Sequence, residues 1–263
     1  MPSRLSILAS LPRGGGPTAW YRAAVSQLHV RAEPSAVAEY VLLPGDPNRA
    51  RRIAERFFDD PILTTDHRQL LGYTGTYRGL RVSVQATGMG CPSLAIVVEE
   101  LIALGARTLV RVGTAGIVAQ AVEPGELIIA TASVPNDGTT RHYMQTQPFA
   151  CVADFGVTRA LAQGAAGLGA KAHVGLIQTD DGFYATTPDD VPRIRSAGVL
   201  AIEMEASALF LLGSLRGVRT GCALVASNRI GDTAFVSQET LDRGVDTMTR
   251  TTLDACVALA AGA

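Results

Sequence analysis

The chain has 263 residues, of which 47% are hydrophobic and 18% charged, and its formal net charge is −1. This composition is typical of a folded protein with a large core, and the length allows one large α/β domain or two small ones. The near-neutral charge gives little electrostatic support for binding a nucleic acid, and no apolar run reaches the roughly 18 residues that span a membrane. We therefore expect neither a nucleic-acid nor a membrane partner.

The four cysteines form no CxxC pair and have no metal-ligand spacing. We expect free thiols, and hence a cytoplasmic protein without a metal site. Residues 1–24 combine one short apolar patch with a Gly/Pro stretch, which makes a poor signal peptide. We predict a disordered N-terminal extension at residues 1–24 and one domain over residues 25–263.

Apolar, β-branched runs that are nearly continuous predict strands buried on both faces. In chain order the predicted strands are 40–45, 81–88, 108–116, 126–134, 173–181, 199–205 and 221–228. Segments with helical spacing lie between several of them, and prolines near their starts or glycines near their ends mark the boundaries. The predicted helices are 47–58, 92–105, 158–169, 206–217 and 238–262. This alternation predicts one α/β domain with a mainly parallel sheet.

Glycines and polar residues follow the predicted strands at the ends where α/β folds bind ligands. The segment PGDPNRA has Gly45 at a strand end and Arg49 in the first turn of a helix, which suits an anion site; the alternative is a turn with a surface arginine. In RVGTAG, Arg111 lies inside an apolar run and Thr114 lies between two glycines. Arg111 contacts either an anionic ligand or a buried carboxylate. Together with Arg68, these arginines are candidates for binding one phosphate dianion.

The segment VLAIEMEASALF, residues 199–210, carries two acids around a methionine. If 201–205 forms a strand, Glu203 and Glu205 point to one face and Met204 to the other. An ionised carboxylate can accept hydrogen bonds from both hydroxyls of a ribose diol while the thioether packs on the sugar. The alternative is that the two acids cap the following helix.

Eight segments of the chain carry a family resemblance in their order and spacing. They are HVRAEP, VLLPGDPNRA, GYTGTYRGLRVSV, TGMGCPSLAIVVEEL, GARTLVRVGTAG, DGFYATTP, IEMEASALF and VASNRIGD, from about His29 to the C-terminus. Together they resemble the nucleoside phosphorylases, a family that includes bacterial hexameric purine nucleoside phosphorylases, the nearest group, and uridine phosphorylases. The resemblance implies a three-layer α/β/α fold with a mixed, mainly parallel sheet, a homohexamer built as a trimer of dimers, and reversible phosphorolysis. Inorganic phosphate would be a co-substrate, with no cofactor or metal.

The resemblance also implies three groups of binding residues. The phosphate group is Gly45, Arg49, Arg111 and Thr114, with Arg68 from the neighbouring subunit. The ribose group is Met89, Glu203, Met204 and Glu205, with His29 from the neighbouring subunit at the 5′-hydroxyl; a structural role is the alternative for Glu203. The base group is Ala115, Gly116, Phe183, Ile202, Ser227 and Asn228.

One position departs from the pattern of many purine members, which carry Ser-Asp where this chain has Ser227-Asn228. An amide cannot deliver a carboxylic proton, but it donates and accepts hydrogen bonds. We therefore predict Asn228 as a catalytic residue that favours guanosine and inosine over adenosine. Arg243, on the last predicted helix, is a candidate to assist Asn228, and a plain surface arginine is the alternative.

The leading prediction is a purine nucleoside phosphorylase of purine salvage. Uridine phosphorylases also carry Asn-Arg where this chain has Asn228-Arg229, but they read uracil with a Gln and an Arg after the FY segment. The segment FYATTPDDVPR has no such Gln-x-Arg match. Three more functions stay open: cleavage of 5′-methylthioadenosine, a nucleosidase reaction that uses water, and non-catalytic nucleoside binding.

Overall fold

The computed structural model describes residues 27–33, 35–145, 147–232 and 236–262. The predicted extension at residues 1–24 lies outside these described residues, so the domain boundary stays a prediction. The strands are β1 (Tyr40–Leu43), β2 (Asp59–Thr65), β3 (Gly72–Tyr77), β4 (Leu80–Gln85), β5 (Thr108–Ile117), β6 (Leu127–Asn136), β7 (Cys151–Val152), β8 (Ala172–Asp180), β9 (Ala201–Glu203) and β10 (Arg219–Arg229). The α-helices are α1 (Pro47–Phe57), α2 (Cys91–Ala103), α3 (Gly138–Met144), α4 (Phe155–Gly167), α5 (Val191–Ser196), α6 (Ala206–Arg216) and α7 (Gln238–Ala260).

The strands form one mixed ten-stranded sheet, in the order β10-β6-β8-β9-β5-β1-β4-β3-β2, with β7 on β6. The two longest pairings, β5 with β10 and β6 with β8, are parallel, whereas the β2-β3-β4 edge is antiparallel. Because β5 also pairs with β10, the strands β5, β10, β6, β8 and β9 close into a ring. This ring brings strand ends that are far apart in sequence to one place.

Helices cover both faces of the sheet. Apolar side chains of α2 and α6 pack in one buried cluster, and those of α1, α4 and α7 pack in another on different sheet residues. Apolar burial of this extent supplies most of the free energy of folding. The predicted three-layer α/β/α fold is confirmed, and every predicted strand and helix has its counterpart. The sequence patterns did not indicate β2, β3, β7, α3 and α5.

Local sequence signals set the helix ends nearest the carboxyl ends of the strands. Asp46 caps α1 by accepting a hydrogen bond from the Asn48 N–H at 2.9 Å, and Pro47 starts the helix. Gly217 ends α6 in the left-handed conformation, at φ 66°. Gly217 marks the far end of α6, whose start at Ala206 follows the end of β9 at Glu203. Since α1 likewise starts just after β1, both helices begin at the sheet edge that holds the candidate site.

The four cysteines are buried and unpaired, as predicted. Burial raises the pKa of Cys151 to about 11, so this thiol stays protonated at neutral pH. None of the helices within the described residues has the length and hydropathy of a membrane span.

Candidate functional site

A buried arginine with two carboxylates forms the centre of the candidate site. Arg111 on β5 is 5% exposed, and its Nε donates to Glu203 Oε2 at 2.6 Å while its Nη2 contacts Glu205 Oε2. The carboxylate pair anticipated for Arg111 is therefore present. The arginine side chain folds back over Gly113, where a Cβ would lie 2.9 Å from Nη2, so this position requires glycine. The nearby carboxylates hold the pKa of Arg111 above its usual value despite burial, so the guanidinium is always charged.

Glu203 joins β9 to α6. Its carboxylate accepts hydrogen bonds from the backbone N–H groups of Glu205, at 2.9 Å, and Ala206, at 3.0 Å, and from the Thr179 hydroxyl at 2.5 Å. These bonds satisfy amides at the start of a helix, where a negative charge is favourable. Glu203 therefore binds the start of α6, as the alternative interpretation predicted. Its carboxylate accepts these hydrogen bonds from groups of the chain itself.

The prediction of a strand over 201–205 was wrong in its extent. β9 ends at Glu203, and Glu205 occupies the N-cap position of α6 with φ −144° and ψ −20°. The turn forms because the Glu203 carboxylate binds the amides that follow it, which takes the chain directly from strand to helix. The two acids converge on Arg111 through this turn and not through strand alternation.

Glu205 has a different environment from Glu203. Its Oε1 accepts the Gly90 N–H at 2.5 Å, while Oε2 is buried and forms an ion pair with Arg111 Nη2. Burial raises the pKa of Glu205, and the charge of Arg111 opposes that rise. Beside this acid, Met89 is 82% exposed and Met204 is partly buried. The chain thus brings the predicted ribose residues Met89, Met204 and Glu205 to one sheet edge.

Arg49 differs from Arg111 because it has no hydrogen-bond or ion-pair partner among the described residues. It is partly buried in the first turn of α1, and no described residue forms a hydrogen bond or an ion pair with it. Burial lowers its pKa, and the positive charge of neighbouring Arg111 adds to the effect, while the charge of Asp46 opposes it. Gly45, just before α1, packs closely on the 86–90 loop, since a Cβ there would lie 3.0 Å from the Gly88 carbonyl oxygen. A partly buried cation without an ion-pair partner is suited to an anionic ligand.

Register in the sheet aligns the predicted base residues. Gly116 on β5 pairs with Asn228 on β10 and with Ile202 on β9, so the three lie side by side. The pairing of β10 shifts at Ser227, a bulge next to buried Ala115. The Ser227 hydroxyl lies 3.0 Å from Asn228 Oδ1 and 3.0 Å from the Ala115 carbonyl oxygen, and Asn228 Nδ2 donates to the Arg229 carbonyl oxygen at 3.2 Å. Thr114, two residues before Gly116, is partly buried on the same strand.

The remaining predicted residues lie on exposed parts of the surface. Phe183, in the loop after β8, is 65% exposed and packs edge-on against Tyr184. Arg68 is exposed in the turn His67–Gln69, where Arg68 and Gln69 have φ values of 56° and 62°. Two consecutive non-glycine residues in this region of φ are costly, and such strain is concentrated at functional positions.

His29 and Arg68 lie near one histidine, His67. Burial lowers the pKa of His67, and the positive charges of nearby Arg31 and Arg68 add to the effect. Arg68 and His29 both lie near His67, so the two residues predicted to serve a neighbouring subunit are close to each other on this chain.

Arg243 has only local contacts within the described residues. Its Nη1 donates to Glu239 Oε1 at 2.7 Å and its Nη2 to the Thr240 hydroxyl at 3.3 Å, all on α7. It lines a cavity of about 390 Å³ that contains none of the other predicted site residues. These contacts describe a surface arginine and give no link from Arg243 to Asn228.

Three further residues contact the predicted site, and the sequence patterns did not identify them. Thr179 donates to Glu203, Gly90 donates to Glu205, and Glu100 on α2 binds His29. The first two lie in the polar and glycine-rich strand ends TDD and TGMG, which signalled a site without giving partners. Glu100 lies in an apolar helix, and a buried acid there is the signal that could have identified it.

One group among the described residues has the geometry of metal ligands. Atoms of Cys91, Asp137 and Asp181 lie within 4.8 Å of one another. Asp137 already accepts hydrogen bonds from the Thr140 N–H and the Ser207 hydroxyl, and burial raises the pKa of the Cys91 thiol. The carboxylate of Asp137 is thus already engaged in capping α3 and in binding Ser207.

Comparison with known proteins gives consistent matches over most of the chain. The family model described as "Phosphorylase superfamily" matches residues 39–258. A DeoD-type purine nucleoside phosphorylase of Streptococcus uberis is 41% identical over 206 residues, which are 78% of this chain and 87% of that protein. A uridine phosphorylase of Thermococcus kodakarensis is 39% identical over 218 residues, 78% of each chain. A DeoD-type purine nucleoside phosphorylase of Clostridium perfringens is 36% identical over 88% of this chain and 99% of its own length.

Proposed function

Since the chain belongs to the phosphorylase superfamily and is a pentosyltransferase, we propose that it is a purine nucleoside phosphorylase. It converts a purine ribonucleoside and inorganic phosphate to the free base and ribose 1-phosphate. The observation that carries the proposal is Arg49, a partly buried cation with no ion-pair partner, next to Arg111 and the acid Glu205. This pairing of an anion site with an acceptor for sugar hydroxyls fits a reaction between phosphate and a nucleoside.

Charge explains the phosphate half of the reaction. Arg49 and the Thr114 hydroxyl are free to bind the dianion, and Gly45 lets backbone N–H groups approach it. Arg111 adds positive charge next to Arg49, although its Nε–H is already donated to Glu203. The bound phosphate faces C1′ of the sugar, and holding the two reactants together supplies much of the rate enhancement.

Bond breaking leaves positive charge on the sugar and negative charge on the base. As the C1′–N9 bond stretches, the ribose gains oxocarbenium character, as in glycoside hydrolysis. A phosphate oxygen forms the new bond to C1′, and the electron pair of the broken bond goes to the base. The Glu205 carboxylate, which the Gly90 N–H and the Arg111 guanidinium hold in place, accepts hydrogen bonds from the ribose hydroxyls in the proposed reaction. No metal or cofactor takes part in the proposed reaction.

Asn228 supports a preference for 6-oxopurines. Its Oδ1 is within hydrogen-bond distance of the Ser227 hydroxyl, and its Nδ2 has a second hydrogen beyond the one given to the Arg229 carbonyl oxygen. That hydrogen can reach O6 or N7 of guanine or hypoxanthine, and it stabilises the negative charge of the leaving base. Adenine offers an amino donor at the 6-position, and a mismatched donor costs about 1–3 kcal/mol. We therefore assign guanosine and inosine as substrates ahead of adenosine.

The proposed assembly is a homo-oligomer, a hexamer made of dimers, in which His29 and Arg68 reach the site of the neighbouring subunit. Their proximity supports this part, as do the exposed apolar side chains of Leu28, Ile62 and Leu63 nearby in sequence. The buried, unpaired cysteines support a cytoplasmic location.

The decisive experiment measures cleavage of adenosine, guanosine, inosine and uridine, each with and without phosphate. We expect phosphate-dependent ribose 1-phosphate from guanosine and inosine, with kcat/KM for adenosine about 5- to 150-fold lower. Phosphate-independent cleavage would instead indicate a nucleosidase. Uridine as the best substrate would favour the second candidate, uridine phosphorylase, to which the similarity of the Thermococcus kodakarensis protein points.

The variant Asn228→Asp tests the base assignment in the same assay. A carboxyl group can protonate the purine and accept from the adenine amino group, so the preference should move toward adenosine. Equal kcat/KM of the original chain for adenosine and guanosine would contradict the assignment.

A further inference from the structure

We propose that Glu100 is a positioning residue for His29: it holds the imidazole with a hydrogen on Nδ1 and leaves Nε2 to accept a hydrogen bond from the nucleoside. The acceptor serves the 5′-hydroxyl of a nucleoside in the neighbouring subunit. This inference deepens the proposed function and rests on it for the identity of that hydroxyl. The tautomer itself rests on the contacts of Glu100 alone.

The carboxylate of Glu100 binds a whole chain segment. It is 3% exposed on α2, and it accepts the backbone N–H groups of Leu28, at 3.2 Å, His29, at 3.0 Å, and Val30, at 2.7 Å. His29 Nδ1 lies 2.8 Å from Glu100 Oε1. A single acid, 70 to 72 positions away in sequence, therefore fixes both the backbone and the ring of this segment.

The chemistry of the acid determines where the ring hydrogen lies. Burial alone would raise the pKa of Glu100, but the hydrogen bonds from Val30 and His29 lower it. An ionised carboxylate has no hydrogen to give, so Nδ1 must be the donor. A neutral imidazole with hydrogen on Nδ1 has a lone pair on Nε2. The side chain of His29 remains 27% exposed, and no other described residue bonds to its ring.

A second histidine–carboxylate pair, in which the other ring nitrogen contacts the acid, serves as an internal reference. His173 uses Nε2, and not Nδ1, to contact a carboxylate, at 2.7 Å from Glu126 Oε2. The same reasoning gives His173 the hydrogen on Nε2. The two histidines should therefore be in opposite tautomers in one molecule.

Neutron diffraction of crystals of the full chain tests the tautomers directly. Crystals are grown at alkaline pH, where the neutral imidazole is favoured over the imidazolium. We expect deuterium on Nδ1 and none on Nε2 of His29, and the reverse at His173. Deuterium on Nε2 alone at His29 would overturn the proposal, and this result needs no variant that must fold.

Kinetics test the role of the positioned ring. The ratio of kcat/KM for guanosine to that for 5′-deoxyguanosine isolates the contribution of the 5′-hydroxyl. Because one hydrogen bond is at issue, Glu100→Gln should lower this ratio about 3- to 10-fold. His29→Ala should lower it to the same extent, and the double variant should lower it no further. Glu126→Gln, which frees His173 in the same way, should leave the ratio unchanged.

The kinetic outcomes separate a positioning role from a structural one. If Glu100→Gln reduces kcat/KM equally for both nucleosides, Glu100 only supports the fold and the proposal is wrong. If the original chain cleaves no nucleoside with phosphate, the proposed function is wrong. The 5′-hydroxyl is then no longer the group that His29 Nε2 is expected to bind. The neutron result still decides the tautomer in that case, so the two failures are distinguishable.

Discussion

The inner and outer parts of the candidate site differ in how much of their charge the chain itself satisfies. In the inner part, Arg111 is buried and bound to Glu203 and Glu205. In the outer part, Arg49 has no partner among the described residues and Arg68 is exposed. Burying a cation without a counter-charge is unfavourable. The inner arginine therefore has its counter-charges within the chain, and the proposed function assigns the outer ones to the phosphate.

Arg111→Met should have the largest effect. It leaves the carboxylates of Glu203 and Glu205 buried without a cation, and breaking a buried pair on one side costs about 3–5 kcal/mol. Denaturant unfolding of the purified variant measures the loss. A free energy of unfolding within about 1 kcal/mol of the original chain would show that the cluster is not the structural centre of the site.

Arg49→Met should weaken phosphate binding and leave the stability of the fold unchanged. Because no described residue depends on Arg49, the free energy of unfolding should change by less than about 0.5 kcal/mol. The KM for phosphate should rise about 10- to 150-fold, since a hydrogen bond to a charged group contributes about 1.5–3 kcal/mol. Arg51→Met, at an exposed arginine two residues further along α1, is the control and should change neither quantity. An unchanged KM for phosphate would remove Arg49 from the site.

A comparison of Glu203→Gln with Glu205→Gln tests whether the two acids of the inner part have different roles. Glu203 accepts hydrogen bonds from Arg111, Thr179 and two backbone N–H groups, so a glutamine there should cost about 1–3 kcal/mol of stability. Glu205 accepts one backbone N–H and pairs with Arg111, which is fewer contacts than Glu203 makes, so its variant should lose less stability. Glu205→Gln should instead reduce the preference for guanosine over 2′-deoxyguanosine. Equal stability losses would mean that the two acids share one role.

Burial also decided which strands could be predicted from the sequence. Continuous apolar runs identified the buried strands, because burial on both faces leaves a composition signal. β2 was missed since most of Asp59–Thr65 is exposed and contains a proline, so that no apolar run marks it. Its pairing with β3 is a tertiary contact.

The candidate site shows a second limit of prediction. The residues at strand ends, such as Gly45 and Arg111, were identified from their local pattern, and register brings Gly116, Asn228 and Ile202 together. The predicted strand was longer than β9 because the Glu203 carboxylate binds the backbone N–H of Glu205 and ends the strand there. Such a local hydrogen bond leaves no periodic pattern in the sequence. Long-range pairs such as Glu100 with His29 leave no local pattern in the sequence.

The smallest expected effect concerns an ion pair near the surface, and it tests whether burial is what separates the two parts. Glu126 is partly buried and binds Lys171, which is 63% exposed, as well as His173. Burial alone would raise its pKa, but hydrogen bonds from Lys171, the Glu123 N–H and His173 lower it to about 2, from an ordinary 4.5.

Because the folded-state pKa is the lower one, the ionised carboxylate stabilises the fold above about pH 4.5, and this contribution disappears as the pH falls toward 2. Glu126→Gln should be less stable than the original chain by about 1 kcal/mol or less at neutral pH, with the difference shrinking through that window. Urea unfolding of both proteins between pH 7 and the lowest pH at which they fold measures it. Glu239→Gln, in an exposed pair with Arg243, is the control and should show a smaller difference throughout. A loss as large as that of Arg111→Met would mean that burial does not separate structural ion pairs from surface ones in this chain.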